Sequence, residues 1–278
     1  MVLESLTNPF KAVKKPWQTF FLGVLYSSAA IFLSNWIFRE HASLLMVFLT
    51  VMACIPLIYN TIKIEEKKEL VLYEEKKILR EHSKVIAFFL FLFIGFVASF
   101  VFWYIILPTG FVQNTFHTQT LTIQSINSKI QGGFTGINTL IQILLNNLKV
   151  LIFCILFAFL YGAGAIFILT WNASVIATAI GNYIRTNLAA VAPPGIAAYL
   201  QIVSLGLLRY MTHGILEIAA YFIGGLAGSI ISVAVIREKF GTKQFERIVL
   251  DSSDLILISI VILILAAIVE VYMTPILF

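Results

Sequence analysis

A histidine and a glutamate one helical turn apart are the residues in this sequence with the clearest chemical potential. His213 and Glu217 lie in the first turns of a hydrophobic run, about 212–236, that is long enough to span a bilayer. On helical spacing they share one stripe with Gly224 and Gly228, which permit close helix packing. Because a carboxylate in lipid costs several kcal/mol, Glu217 should face protein or a water-filled cavity. An intramembrane acid of this kind is a candidate functional residue.

A second acid, Glu270, lies near the end of the last hydrophobic run. With a cytoplasmic N-terminus, Glu217 is about five residues into a descending helix and Glu270 about six residues below the end of a rising one. At ~1.5 Å per residue, both lie roughly 7–9 Å below the outer boundary. We therefore expect the two acids to meet. They would repel unless a cation, a shared proton or an arginine lies between them.

Arg209 and His213 are expected just above the acids, and Lys149 with Asn146 and Asn147 near the same level, so the sequence can build one hydrogen-bonded polar cluster around the two acids. Three uses remain open: a structural lock between helices, a cation or proton site of a transporter or channel, and a catalytic site. In the catalytic case His213 and Glu217 would be metal ligands or an acid/base pair. Zinc requires three or four protein ligands, and the other histidines fall in loops, so no catalytic residue or cofactor is assigned.

Composition places the chain among polytopic membrane proteins. It is 60% hydrophobic and only 12% charged, with a mean hydropathy of +0.95. Cys54 and Cys154 both lie in apolar runs, which indicates small buried side chains rather than a disulfide or metal site. The net charge of +5 flanks hydrophobic segments and forms no separate patch, which argues against nucleic-acid binding.

The hydrophobic runs predict a single all-α transmembrane bundle of about six to seven spans over residues 1–278. Residues 173–210 are the least certain part: they form a crossing or a broken or re-entrant segment. Gly162 and Gly164 in the fourth span should allow close packing, as Gly224 and Gly228 do in the sixth. The predicted spans are approximately 17–38, 42–62, 85–107, 149–170, 196–210, 212–236 and 255–276.

Three segments are expected outside the hydrocarbon region. Residues 1–16 suit a short interfacial segment, because lysines alternate there with apolar side chains. Residues 63–84 alternate in charge and predict a solvated helix, which is either a charged connector or a docking site for a cytoplasmic partner. Residues 109–148 predict an external polar loop that leads into an amphipathic segment.

Lysine and arginine counts predict the orientation. Assigning residues 1–16, 63–84 and 237–252 to one side collects 14 of the 19 basic residues there, with Arg185 added if it lies at the same interface. The positive-inside rule then gives a cytoplasmic N-terminus, an external C-terminus and a multi-pass protein of the plasma membrane.

The stretch from His213 to Ala220, followed by Gly224 to Gly228, resembles the signature of the stage II sporulation protein M family. Asn172 after a glycine-containing span and the ending from Glu270 to Pro275 also resemble that family, so the likeness covers roughly 140–278. Two positions depart from its pattern: Thr212 stands where proline often precedes the histidine, and Ala173 where glycine often follows the asparagine.

The resemblance implies that His213, Glu217, Asn172 and Glu270 are family-type polar positions. It also implies a membrane scaffold, because the sporulation member positions cell-wall-remodelling enzymes, although a sporulation role does not transfer. We therefore expect a scaffold that associates with itself or with other membrane proteins in the lipid bilayer. The alternatives are a cation- or proton-coupled transporter or channel using Glu217 and Glu270, and a membrane-embedded metal-dependent hydrolase.

Overall fold

The structure is a computed structural model that describes residues 15–69, 75–130, 136–161, 164–191, 195–237 and 241–277. Every regular element in these ranges is helical, and seven helices are long and apolar enough to cross a membrane. The prediction of an all-α polytopic bundle is therefore confirmed. The interfacial segment predicted at 1–16 lies almost entirely outside the described residues.

Ten α-helices, one 3-10 turn and one π turn follow each other along the described chain. The 3-10 turn, Arg39–His41, joins the first two helices, and the π turn, Val269–Met273, joins the last two. The helices are α1 Trp17–Ile37, α2 Ala42–Glu69, α3 Glu75–Ile106, α4 Thr109–Thr115, α5 His117–Ile130, α6 Gly136–Tyr161, α7 Ala165–Ala190, α8 Ile196–Arg237, α9 Lys243–Ile268 and α10 Thr274–Leu277.

The span boundaries in the middle of the chain differ from those predicted. The stretch 149–170 is divided between α6 and α7, and 173–190 belongs to the uninterrupted helix α7. Residues 196–210 are the first third of α8, which continues without a break for 42 residues. Of the alternatives for 173–210, the described residues favour helices that cross the membrane over a broken or re-entrant segment. Polar residues such as Asn182 and Arg185 suggested an interruption, but Asn182 lies exposed on the surface of α7 and Arg185 binds carbonyl groups of α3.

The predicted external loop at 109–148 is also different in the structure, because the described parts of this stretch are helical. Residues 109–130 form α4 and α5, and 136–148 are the first half of the membrane-spanning helix α6. The expected charged helix at 63–84 is described only in part: α2 runs to Glu69, and α3 begins at Glu75.

A close backbone crossing organises the N-terminal half. A Cβ atom on Gly23 would lie 2.5 Å from the carbonyl oxygen of Leu92 and 3.2 Å from Cα of Gly95, so only glycine fits where α1 meets α3. Large aromatic side chains of α3, including Phe96 and Phe100, are fully buried beside this crossing. Helices α1, α2 and α3 thus form one packed unit, in which α1 contacts both of the others.

Helix α7 is central, because α3 packs on one side of it and α8 on another. A Cβ atom on Gly181 would clash with the ring of Tyr104 in α3, and a Cβ atom on Gly225 of α8 would lie 3.2 Å from Cβ of Ala165. Helix α7 therefore joins the two halves of the bundle: one of its faces packs on α3 and another packs on α8.

Arg185 lies at the end of the bundle opposite to residues 63–84. Its Nε donates a hydrogen bond to the carbonyl oxygen of Ile105 at 3.4 Å, its Nη2 donates to that of Leu107, and the guanidinium lies over the Tyr104 ring. The condition for counting Arg185 with the basic residues of the predicted cytoplasmic side is therefore not met. The guanidinium instead binds carbonyl groups at the C-terminal end of α3, which helical hydrogen bonds leave free.

Candidate functional site

Three segments that are distant in sequence position the candidate site. Helices α6 and α8 run parallel, since Asn147 contacts Glu217 and, further along both helices, Ile155 packs against Gly228. Helix α9 returns antiparallel beside them, and the π turn that follows it brings Glu270 to the level of Glu217.

The polar cluster consists of Asn147, His213, Glu217, Glu270 and Thr274. The Asn147 side chain donates from Nδ2 to Oε1 of Glu217 at 2.5 Å. His213 Nε2 lies 3.9 Å from Oε1 of Glu270, and His213 Nδ1 lies 3.4 Å from Oγ1 of Thr274. The five side chains thus form a continuous chain from α6 through α8 to the C-terminal helix.

The two carboxyl groups of this cluster lie within hydrogen-bonding reach of each other. An ionised carboxylate can only accept hydrogen bonds, so a hydrogen bond between Glu217 and Glu270 requires one of them to carry a proton. The expectation that two acids meet at similar depth therefore matches their placement. Of the three ways to relieve their repulsion, the geometry is compatible with a shared proton.

The tautomer of His213 follows from its neighbour. The Thr274 hydroxyl donates to the carbonyl oxygen of Val269 at 3.1 Å, so towards His213 its oxygen can only accept. The proton of a neutral His213 then lies on Nδ1, and Nε2 is the free acceptor that faces Glu270. His213 therefore presents an acceptor nitrogen to Glu270 across 3.9 Å, a distance too long for a direct hydrogen bond.

A π turn at Val269–Met273 shapes the C-terminal side of the cluster. The backbone N–H and the hydroxyl of Thr274 both bond to the carbonyl oxygen of Val269, five residues back. Pro275 explains this widening, because a proline ring clashes with the carbonyl group four residues before it in a regular helix. Single π turns of this kind are frequent at functional sites.

The arrangement does not form a recognisable metal centre. Among the residues that the structure describes, no group of three or more His, Cys, Asp or Glu side chains is arranged to hold a metal ion. His213 and Glu217, the candidate ligands, belong instead to the hydrogen-bonded chain. Their geometry gives no support to a metal-dependent hydrolase.

Two cations expected in the cluster lie outside it. The side chain of Arg209 is exposed, and its guanidinium lies 5.8 Å from the centroid of the Tyr183 ring on α7. Lys149 is exposed on the face of α6 opposite to Asn147, because residues two apart on a helix point in nearly opposite directions. The acid pair is therefore formed without a neighbouring arginine or lysine from this set.

Asn172 is level with the cluster but on another helix. Ala165 faces Gly225 in the antiparallel pair α7 and α8, so moving seven residues along each helix brings Asn172 opposite Ile218, next to Glu217. Its Nδ2 is buried and has no hydrogen-bond partner in the described part of the chain. Asn172 therefore lies at the level of the acid pair and is not one of the hydrogen-bonded members of the cluster among the described residues.

The glycines proposed for helix packing have different surroundings. Gly224 and Gly228 lie against α6, and a Cβ atom on Gly228 would be 2.5 Å from the carbonyl oxygen of Ile155. Gly164 is not inside a span but in the turn that precedes α7. Gly162 lies outside the described residues.

The sequence placed Asn146 and Asn147 together near the level of the cluster, and the structure brings Asn147 to Glu217. Thr274 was missed as a cluster member. Asn147 shares helical spacing with Leu151, Cys154 and Ala158, which are all buried, so periodicity assigns it to the inner face of α6. Thr274 gave no such signal, because its position depends on the π turn.

The comparisons with known proteins agree with this organisation. The family model of stage II sporulation protein M matches residues 85–275, which extends from α3 to Pro275 and includes every member of the polar cluster. No curated protein and no solved structure matched the chain. The match covers more than half of the 278 residues and starts earlier than the resemblance at about 140. This chain therefore belongs to the stage II sporulation protein M family.

Proposed function

We propose that this membrane protein is an assembly scaffold without catalytic activity, in which the polar cluster fixes the register of α6, α8 and the C-terminal helix. Each acid is met by a group from another helix: Glu217 by Asn147, and Glu270 by His213. A buried polar contact between helices specifies one arrangement, since any slip leaves these groups unpaired in an apolar environment.

The observation that carries this proposal is the packing directly below the acids. Gly224 lies against Leu151, and a Cβ atom on Gly228 would lie 2.5 Å from Ile155 O and 3.2 Å from Ala158 Cβ. Backbone contact this close leaves no room for water between α6 and α8. A channel or carrier that uses Glu217 requires a continuous polar path, so the packing supports a structural role for the acids.

Flux measurements test this function. Purified protein is reconstituted into phosphatidylcholine vesicles that contain a pH-sensitive dye, and a pH gradient and a membrane potential are imposed. We expect proton leakage equal to that of empty vesicles. We also expect the double variant Glu217→Gln and Glu270→Gln to keep the helicity of the wild-type protein, because both amides still form hydrogen bonds.

One observation favours a second candidate, a proton-coupled transporter. The side chains of Glu270 and His213 are 30% and 13% exposed, so the protein itself does not fully enclose the acid pair. Proton flux that disappears in Glu217→Gln but persists in Glu246→Gln would establish transport and overturn the scaffold. Glu246 is the matched control because it is exposed in the first turn of α9, outside the cluster.

A further inference from the structure

The face of α6 that points away from the polar cluster carries an unusual row of polar residues. Asn138, Gln142, Asn146 and Lys149 follow helical spacing and form what we call the α6 stripe. Gln142 is half-buried and the other three are exposed, as are the apolar residues beside them, such as Leu145. A helix that faces only lipid would carry apolar side chains at these positions.

The depth of Lys149 makes the stripe difficult to explain by lipid contact. Helix α6 has 26 residues, and Lys149 lies about 20 Å from its Gly136 end and about 18 Å from its Tyr161 end at ~1.5 Å per residue. Its ammonium can move by roughly one helical turn along the helix, so it does not reach either surface. A lysine near the middle of a span is unfavourable unless it is paired.

The described part of the protein supplies no partner for this charge. Lys149 forms no ion pair and no hydrogen bond with any described residue. Glu217 is not a partner for Lys149, because it contacts Asn147 on the opposite face of α6 and also interacts with Glu270.

We propose that the α6 stripe docks a transmembrane helix of a different protein that carries an aspartate or glutamate at mid-membrane depth. This inference rests on the assembly function proposed above, since it names the surface and the chemistry of the partner. The carboxylate pairs with Lys149, and polar side chains of the partner hydrogen bond with the amides of Asn138 and Asn146. Polar contacts of this kind drive helix association where the hydrophobic effect is absent.

Charge and depth exclude two other occupants. A second copy related by a two-fold axis along the membrane normal would bring Lys149 against Lys149 at equal depth, and like charges repel. A phospholipid headgroup lies at the membrane surface, about 15 Å from the centre of a ~30 Å hydrocarbon core. Only a membrane-spanning partner brings an anion to this level.

The test uses a designed probe rather than a natural partner. The probe is a single-span peptide of Leu and Ala with one central Glu and an acceptor dye, and energy transfer from donor-labelled protein reports association in phosphatidylcholine vesicles. We expect the Glu peptide to bind about 5- to 30-fold more tightly than the same peptide with central Leu. A peptide with its Glu moved to one end should lose this preference.

Variants of the protein then assign the preference to Lys149. Lys149→Leu should abolish it, and Lys149→Glu should transfer it to a peptide with a central Lys. Lys243→Leu is the matched control, because Lys243 is an exposed lysine at the start of α9. Helicity is measured for each variant, and Lys149→Gln replaces Lys149→Leu if the latter does not fold.

Three results would overturn the docking proposal. They are equal binding of the Glu and Leu peptides, a preference that survives in Lys149→Leu, and loss of the preference when phosphatidylglycerol competes for Lys149. The last result would identify a lipid headgroup as the occupant. The outcome is separable from the flux assay: flux through Glu217 removes the scaffold function alone, and absent association without flux removes the docking surface alone.

Discussion

Helix α7 separates two buried polar regions that are built on different principles. Its Ser174 faces the neutral zone, which we define as Ser43, Thr118, Gln119 and Ser174. Its Asn172 points to the other side, towards the turn of α8 that contains Glu217. The neutral zone contains only hydroxyls and an amide, whereas the polar cluster contains two acids and a histidine.

The difference lies in where each polar group finds its partners. Hydroxyls of the N-terminal half mostly bond to their own helix, as Thr50 does to Met46 O at 2.8 Å and Thr178 to Ser174 O at 2.8 Å. A carboxyl group inside a helix cannot use the backbone in this way, so it requires another segment. Ionisable groups therefore join helices more strictly than neutral ones do.

The family match follows the same division. Residues 85–275 contain the whole polar cluster, whereas Ser43 of the neutral zone lies in α2, outside the match. The comparison teaches that the cluster belongs to the family core, and that the first hairpin is joined to this core by neutral contacts. Four measurements can break or sharpen this contrast.

Removal of the Glu217 carboxyl should have the largest effect. In Glu217→Leu the Asn147 amide loses its acceptor and Glu270 loses its partner, so the free energy of unfolding in mixed micelles should fall by about 3 kcal/mol. Glu217→Gln should lose no more than about 1 kcal/mol, because an amide can still form both contacts. Equal losses in the two variants would show that the hydrogen bonds do not hold this site.

Removal of the Gln119 amide should cost less, about 1–2 kcal/mol in the same assay. Gln119→Leu removes the hydrogen bonds from Nε2 to Ser43 O and Ser174 Oγ, both 3.1 Å long. It also removes Oε1, which is buried without a partner among the described residues, and this partly offsets the loss. Gln201→Leu on the exposed start of α8 is the control, and a loss as large as that of Glu217→Leu would abolish the contrast between the two regions.

A double-mutant cycle should give a still smaller quantity, the coupling of one pair. Between Asn147→Ala and Glu217→Gln we expect about 1 kcal/mol, within the range known for hydrogen bonds in membranes. The neutral pair Ser43 and Thr118, whose hydroxyl oxygens are 2.7 Å apart, should give about half of that. The reverse order would mean that charge does not determine the strength of these contacts.

The smallest effects are expected for the two cations that lie outside the cluster. Arg209→Gln should change the free energy of unfolding by less than about 0.5 kcal/mol because the side chain is exposed, and Lys149→Gln should not lower it, because an unpaired lysine at mid-span is unfavourable. A loss above about 1.5 kcal/mol in either variant, on the scale of the Glu217→Leu result, would place that cation in contact with the acids.

The meeting of the two acids was predicted by counting residues from the ends of two hydrophobic runs, although α8 starts at Ile196 and not near residue 212. The same counting misplaced Lys149 and Arg209, because depth carries no information about which face of a helix is buried. Buried periodicity carries that information for α6, where Leu151, Cys154 and Ala158 mark the inner face. The prediction for Lys149 and Arg209 therefore failed because it did not consider which face of the helix each side chain lies on.

Helix boundaries were predicted well for the first three spans and poorly for the later ones. Spans α1, α2 and α3 have long uncharged runs bounded by charges, and their limits agree with the prediction to within a few residues. Helix α7 contains Asn182 and Arg185, which suggested a break, but Arg185 is satisfied by carbonyl groups of α3. Such a tertiary contact is invisible to local sequence patterns.

Helix α8 has a mechanical consequence that its length alone dictates. Its 42 residues measure about 63 Å, about twice the thickness of a hydrocarbon core, and its first three turns extend beyond the start of α6 alongside the end of α7. A continuous helix behaves as a stiff rod. A push or twist on Tyr199 or Leu200 is therefore transmitted along the helix axis towards His213 and Glu217, which couples the start of α8 mechanically to the acid pair.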